Sequence, residues 1–307
     1  MAKFTNQAAS FVGIEVSSGA FNAIRIDANG TVLEAVQMPF DRTGETLAQL
    51  LSAVNKLKKS FPGIEKIGIA VPGLIRRETS RVAVSAHIPD HSGLDLAGEV
   101  YAATGLETLI ENDANAAAYG ELKAGAGRGS DNLFYVTLGG GVGGAFIIDG
   151  NIWRGASGFA GEFGYVPINS EGMRLEEVAS SGNIVRRTVN RYKQDSTSSL
   201  SRLDENQIGI ADIVAAAEDE DDFAQMMLAR TGTYVGMAVA SVINLLNIEK
   251  IVIGGEIMQA KHLVLDSVIA RAKELAFAPS FENTEIVAGE LGYNASAIGA
   301  ALLANGS

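Results

Sequence analysis

Four short stretches of this 307-residue chain combine residue types and spacings that can do chemistry. In ENDANAAAYGE (111–121), Asn112, Asp113 and Asn115 sit where an apolar strand ends and an alanine-rich helix begins. Asp and Asn are favoured helix caps, and capping alone accounts for them. A carboxylate at such a strand end can equally serve as a general base, taking the proton of a hydroxyl whose oxygen attacks phosphorus. LGGGVGGAF contains GxGxxG at Gly139, Gly141 and Gly144. A dinucleotide fingerprint requires a following helix, and the strand-like AFIID follows instead, so that reading is rejected. Glycines between two strands can still bend a hairpin over a phosphate, offering N–H donors unobstructed by Cβ atoms. An unliganded hairpin would use the same residues. In GFAGEFGYVPIN, Glu162 lies between glycines, either as a solvated loop residue or as an acceptor for two neighbouring hydroxyls. Gly254-Gly255, after KIVI, makes a strand-to-helix turn that also lets a ligand ring approach the backbone.

These stretches need a frame, and the apolar periodicity supplies one. FVGIEV, AFNAIRID and TVLEAVQMPF read as three strands, the last two joined by the Asn29-Gly30 turn. Residues 44–59 have helical spacing, with Thr43 as the expected cap. KIGIAV is a buried strand, DLAGEVYAATG a helix, ETLI a strand and ANAAAYGELKAG a helix. The pattern then restarts with the strand LFYVTL, the loop GGGVGG, the strand AFIID and NIW. Helices follow around 176–192 and 208–247, the second broken near EDEDD, then strand IEKIVIGG, helix 261–277, strand TEIVAG and helix ASAIGAALLA. The halves resemble each other, which predicts two like-folded α/β domains with a cleft between them. The expected division is 1–115 and 116–294, with the closing helix 295–307 returning to the first domain.

Composition narrows the classes. Hydrophobic residues make up 47%, enough for a large core, and the net charge of −12 argues against general nucleic-acid binding. The absence of cysteine excludes disulfides and thiolate metal sites. MAKFTNQAAS does not read as a signal peptide, and no charge-free apolar run reaches the ~20 residues of a membrane span. The reading is a soluble cytoplasmic protein.

The order and spacing of the motifs carry more than any one of them. VPGL (71–74), ENDANAAAYGE (111–121), AGRGSDNLFYVTLGGGVGGAFIIDG (126–150), GFAGEFGY (158–165), LEEVASSG (175–182), IVIGGEI (251–257) and NASAIGAALLA (294–304) run in one series. Across essentially the whole chain this resembles the ROK family of the actin-like ATPase superfamily. The resemblance implies duplicated actin-like (ribonuclease H-like) α/β domains closing on ATP and a sugar, and phosphoryl transfer to a hexose, glucose first, or an N-acetylhexosamine. It implies Asp113 as catalytic base, and Gly73, Asn112, Glu162, Tyr165 and Glu176 as sugar-binding residues. Gly139, Gly140, Gly141 and Gly143 match the second phosphate loop, and Gly254 and Gly255 the glycines beside adenosine. Mg²⁺ would neutralise the phosphates during in-line transfer. A homodimer is also implied.

The resemblance breaks in three places. The family's first phosphate loop reads roughly DxGGTK; here Glu15 stands for the Asp, Ser17-Ser18 for the glycines, Gly19 for the Thr and Ala20 for the Lys. Glu15 keeps the charge and can hold Mg²⁺ through water. A serine forced to positive φ would cost ~1 kcal/mol or more, and serine hydroxyls can donate to phosphate in return. Tyr165 occupies the position of a zinc-ligating His, and without cysteine no thiolate zinc site forms; His87 replaces an Asn on the sugar side. The helix-turn-helix that precedes the first strand in family repressors is not expected, since that strand starts near Phe11. Beside the ATP-dependent kinase stand two alternatives: a catalytically weak or inactive sensor of sugar or nucleotide, and a kinase using another donor such as polyphosphate.

Overall fold

The structure is a computed structural model that describes residues 10–17, 19–76, 78–85, 87–192 and 197–306. Alternating apolar runs build the first sheet. β1 (Ser10–Val16), β2 (Ala20–Asp27) and β3 (Val32–Pro39) form an antiparallel meander, with Val12, Ile14 and Val16 of β1 fully buried. α1 (Thr46–Ser60) leads to β4 (Lys66–Val71), parallel to β1. A small ribbon of β5 (Leu74–Arg76) and β6 (Arg81–Val84) precedes α2 (Leu96–Thr104), β7 (Glu107–Asn112) and α3 (Asp113–Ala124). The sheet order is β3-β2-β1-β4-β7.

The same design repeats with β8 (Leu133–Leu138), β9 (Val142–Ile148) and β10 (Asn151–Trp153). Then come α4 (Glu176–Ala179), α5 (Ser181–Tyr192), α6 (Ile210–Glu218), α7 (Asp222–Leu246), β11 (Lys250–Gly254), α8 (His262–Leu275), α9 (Ala278–Glu282), β12 (Glu285–Ala288) and α10 (Ala295–Ala304). Its order, β10-β9-β8-β11-β12, matches the first sheet strand for strand, with β8, β11 and β12 parallel. The duplication expected from the sequence is therefore present in the topology.

Contacts divide the chain into two units. The first comprises residues up to Asp131, Phe146–Ala160 and Tyr293 onward; the second comprises Asn132–Ala145 and Gly161–Gly292. α3 and the β10 strand belong to the first unit, whereas the sequence reading places a boundary at 115. The reason lies in α10. A Cβ on Gly299 of this helix would come within 1.7 Å of Ala116 O in α3, and one on Gly13 of β1 within 1.9 Å of Ala297 O. Helix and sheet meet backbone to backbone, so small residues decide the grouping.

Three local expectations change. Thr43 does not cap α1: its N–H and hydroxyl both donate to Asp41 Oδ1, at 2.9 and 2.7 Å, which spends it in an Asx turn. The glycine loop is shorter than GGGVGG, because Gly143 and Gly144 already lie in β9, where Gly144 packs on the Phe134 ring. The acidic run 218–222 is more than a solvated helix start. Asp221 caps α7, accepting from Ala224 N at 3.0 Å, Ser198 Oγ at 2.9 Å, and Ser199 N and Oγ at 2.6 and 2.7 Å. α7 has the length and mean hydropathy of a membrane span, and more than half of that window is buried inside the protein.

Partial burial works against the charge of Asp221, but the bonds from Ser199, Ala224 and Ser198 outweigh it and hold the carboxyl below the usual Asp range. Asp221→Ala is expected to cost about 1 kcal/mol at neutral pH. A carboxyl depressed in the folded state stabilises above its unfolded pKa, so the gap between variant and parent shrinks as pH falls through the lowered value. Urea unfolding at neutral and acid pH measures both.

Candidate active site

In the first unit the site grows from the end of β7. Asn112 is its last residue and the N-cap of α3, accepting from Asn115 N at 3.0 Å. Its Nδ2 donates to Gly73 O at 3.1 Å and to Asp113 Oδ1 at 3.0 Å, and Ala114 N donates to the same Asp113 oxygen at 2.9 Å. Gly73, Asn112 and Asp113, read separately from the sequence, thus form one hydrogen-bonded group.

Glu111, which the sequence reading passed over, holds this turn from behind. It is 3% exposed. Its Oε1 accepts from Asn112 N at 2.9 Å and Asn115 Nδ2 at 3.0 Å, and its Oε2 from Nε of Arg154 at 3.1 Å and from Nη2 of the same guanidinium. The signal was an acid inside the buried run TLIEN, since a buried carboxylate must be paired. The partner, 43 residues on, is not readable from spacing.

Glu15, at the end of β1, accepts from Asn22 Nδ2 at 3.0 Å, and Gln37 in turn donates to Asn22 at 3.0 Å. Burial raises its pKa, the Asn22 bond opposes this, the negative charge of Asp113 raises it further and Ser296 lowers it. Two carboxyls therefore repel each other here, an arrangement a cation relieves. Mg²⁺ commonly binds through one or two carboxylates while keeping water and substrate phosphate as its other ligands, so the Glu15 carboxylate suits a water-mediated contact with that ion. No cluster of three metal-ligating side chains exists among the described residues.

The altered first loop differs from expectation. Ser17 does not adopt positive φ, so the strain foreseen for it is absent. Its hydroxyl and its N–H both donate to Ala20 O at 2.9 Å, closing the β1–β2 turn. Gly19 is exposed and has open space where a Cβ would stand. Ser17, Gly19, Ala20, Gln37 and Pro39 line a hollow of about 510 Å³. Ser18 lies outside the described residues.

In the second unit the loop Gly139–Gly141 closes with Gly139 N donating to Gly141 O at 3.0 Å. It is anchored by Ser181, whose N–H donates to Gly139 O at 2.8 Å and whose hydroxyl donates to Glu256. A Cβ on Gly140 would meet nothing within 4 Å, and neither Gly139 nor Gly140 has positive φ. The protein's own packing therefore does not require glycine at either position, and the bare backbone at Gly140 is open to an anion. Gly254 and Gly255 differ. A Cβ on Gly254 would lie 2.3 Å from Tyr135 Oη, and Gly255 has φ +94° with Leu138 O 2.3 Å from its Cβ position. Packing against β8 accounts for both.

Glu176 opens α4 and accepts from Val142 N at 2.9 Å. Glu162 precedes a short 3₁₀ turn, and desolvation, then the charge of Glu176, raises its pKa. The two carboxylates are thus brought together. Tyr165 is exposed, with the Arg174 guanidinium 4.4 Å from its ring centroid.

Two α/β units of matching topology, one carrying Gly73, Asn112 and Asp113 and the other an open glycine loop and paired carboxylates, define an actin-like ATPase fold. The ROK family model matches residues 11–307, and the chain belongs to that family. It is 30% identical over 311 residues to a glucokinase of Halalkalibacterium halodurans, spanning 94% of this chain and 93% of that one. It is 28% identical to a xylose repressor of Bacillus subtilis, over 97% of this chain and 78% of the repressor. Among solved structures, a ROK family glucokinase from Streptomyces griseus in complex with glucose and AMPPNP superposes with a TM-score of 0.87 at 26% identity, covering 97% of this chain and all of that one.

Proposed function

We propose that this protein is an ATP-dependent hexose kinase, with glucose as the first substrate to test. The observation that carries this is the bonded group of Gly73, Asn112 and Asp113 at the β7–α3 turn, which fixes a carboxylate at a strand's carboxyl end. In the proposed step a sugar hydroxyl oxygen attacks the γ-phosphorus, its proton passes to Asp113, and the bond from phosphorus to the ADP oxygen breaks. Asn112 holds the Asp113 carboxylate in place. Glu162 and Glu176 accept hydrogen bonds from other sugar hydroxyls. Gly140 and Gly141 donate backbone N–H groups to phosphate, while the Gly139 N–H closes the loop. Mg²⁺, arriving with the nucleotide, would be held through water by Glu15 and would neutralise phosphate charge. The kinship to glucokinases and the glucose and AMPPNP of the Streptomyces griseus complex support this reading.

A second reading, a sugar- or nucleotide-binding regulator with weak or no turnover, is favoured by the first loop. Glu15 is engaged by Asn22, and the Ser17 hydroxyl is spent within its own turn; a xylose repressor is also a relative. A coupled ADP-release assay with ATP and Mg²⁺ across hexoses and N-acetylhexosamines separates the two. Sugar-dependent turnover supports the kinase. Calorimetric sugar binding without ADP release sinks it, and repeating the panel with polyphosphate then tests the donor.

A further inference from the structure

Helices α5 and α7 of the second unit carry four arginines that no acid pairs with among the described residues. Arg186, Arg187 and Arg191 lie on α5 and Arg230 on α7. Arg187 is half-buried against α7, where Nη2 donates to Thr231 Oγ1 at 2.7 Å and the guanidinium stands 5.5 Å from the Tyr234 ring centroid. Its Nε is buried and has no hydrogen-bond partner. Arg230 approaches the same ring at 5.9 Å and donates from Nε to Tyr234 Oη at 3.1 Å. Arg186 donates only to neutral acceptors, Asn183 Oδ1 and Glu177 O.

No ion pair engages any of these four arginines among the described residues, although Arg25, Arg154 and Arg271 are paired with Glu34, Glu111 and Glu274. This is unexpected in a chain with 36 acidic and 24 basic residues. Burial, then the charges of Arg230, Arg191 and Arg186 against a favourable contribution from Tyr234, pull the Arg187 pKa down to about 10. A desolvated cation crowded by like charges is costly unless an anion completes it.

We propose that Arg187 and Arg230, flanked by Arg191 and the Tyr234 hydroxyl, form a binding site for a small phosphate-bearing anion. Several neighbouring positive charges suit a doubly charged tetrahedral group better than a singly charged carboxylate, and guanidinium forks match its oxygens in pairs. The anion is inorganic phosphate or a phosphorylated sugar; both present the same group. The site stands whether or not the protein is a kinase.

Thermal unfolding tests it. The full-length protein, Arg187→Met and Arg230→Met are heated at one pH and matched ionic strength in sodium chloride, sodium phosphate, glucose 6-phosphate or ATP. The expected result is a saturable rise of several degrees in the parent protein with phosphate or glucose 6-phosphate, and none in either variant. Arg187→Met in chloride should match or exceed the parent, because it removes a half-buried charge that no acid balances. Whichever of the two anions saturates at the lower concentration names the source. An equal rise in all three proteins would mean an adventitious ion only or, with glucose 6-phosphate, binding at the proposed kinase site, and overturns the proposal. So does an Arg187→Met that is destabilised equally in every buffer, which marks a structural arginine; Arg230→Met, altering an exposed side chain, still tests the site if Arg187→Met fails to fold. A response confined to ATP assigns the arginines to a nucleotide pocket and also overturns it.

Discussion

Asp113→Asn abolishes measurable sugar-dependent ADP release while leaving the fold and sugar binding in place: this is the expected result with the largest effect. The substitution keeps the side chain's size. Its carbonyl oxygen can still accept from Ala114 N and Asn112 Nδ2, the two donors on Asp113 Oδ1. The negative charge goes, and with it the capacity to take a proton. Loss of a positioned general base costs about 100-fold to 10,000-fold in turnover, with sugar affinity by calorimetry changing only a few-fold. Stability moves the other way. Asp113 helps raise the Glu15 pKa, and an acid whose folded pKa is raised destabilises above its unfolded pKa, with the penalty relieved as pH falls. Removing the Asp113 charge weakens that penalty, so Tm near neutral pH should hold or rise. Turnover within a few-fold of the parent would remove Asp113 from the role of base. Loss of turnover together with a falling Tm would show that it supports the fold instead.

How far the sequence reached can be judged residue by residue. Element types follow from period and caps: Asp95 accepts from Gly98 N at 3.0 Å to start α2, and Gly105 ends it at φ +73°. The duplication was visible as texture and is realised as matching strand orders. The grouping of Gly73 with Asn112 was legible only through motif order, since a bond spanning 39 residues leaves no periodic trace. Three matters needed three dimensions. The serine loop reads both as a hairpin turn and as an altered phosphate loop; Ser17 closes the hairpin without positive φ, a conformation that is not written in residue type. Gly254 and Gly255 read both as a strand-to-helix turn and as ligand glycines, and the close approach of Tyr135 and Leu138 gives them a packing role. The unpaired arginines of α5 and α7 escaped notice because an arginine's partner, or lack of one, is a property of three dimensions.

Glu111 offers the second large effect, through stability first and activity second. Its carboxylate takes four hydrogen bonds, and two of them come from the turn that presents Asn112 and Asp113. Glu111→Gln preserves shape but replaces one acceptor oxygen with an NH₂ donor. If the remaining oxygen serves Asn112 N and Asn115, donor faces donor at Arg154; if it serves Arg154, the turn loses its anchor. Breaking a fully buried ion pair from one side costs about 3–5 kcal/mol. Arg154 retains 35% side-chain exposure, so water recovers part of this, and a loss of about 2 kcal/mol is expected. Urea midpoints measure it at unchanged m. The pairing is isolated by Arg154→Met and the double variant: if the two groups act through each other, the double variant loses less than the sum of the singles. Should Glu111→Gln match the parent in both midpoint and turnover, the clamp contributes nothing, and the Asn112 cap alone holds the turn. A loss of turnover that exceeds the unfolded fraction, with sugar affinity retained, would instead place the Glu111–Arg154 pair behind the geometry of Asp113.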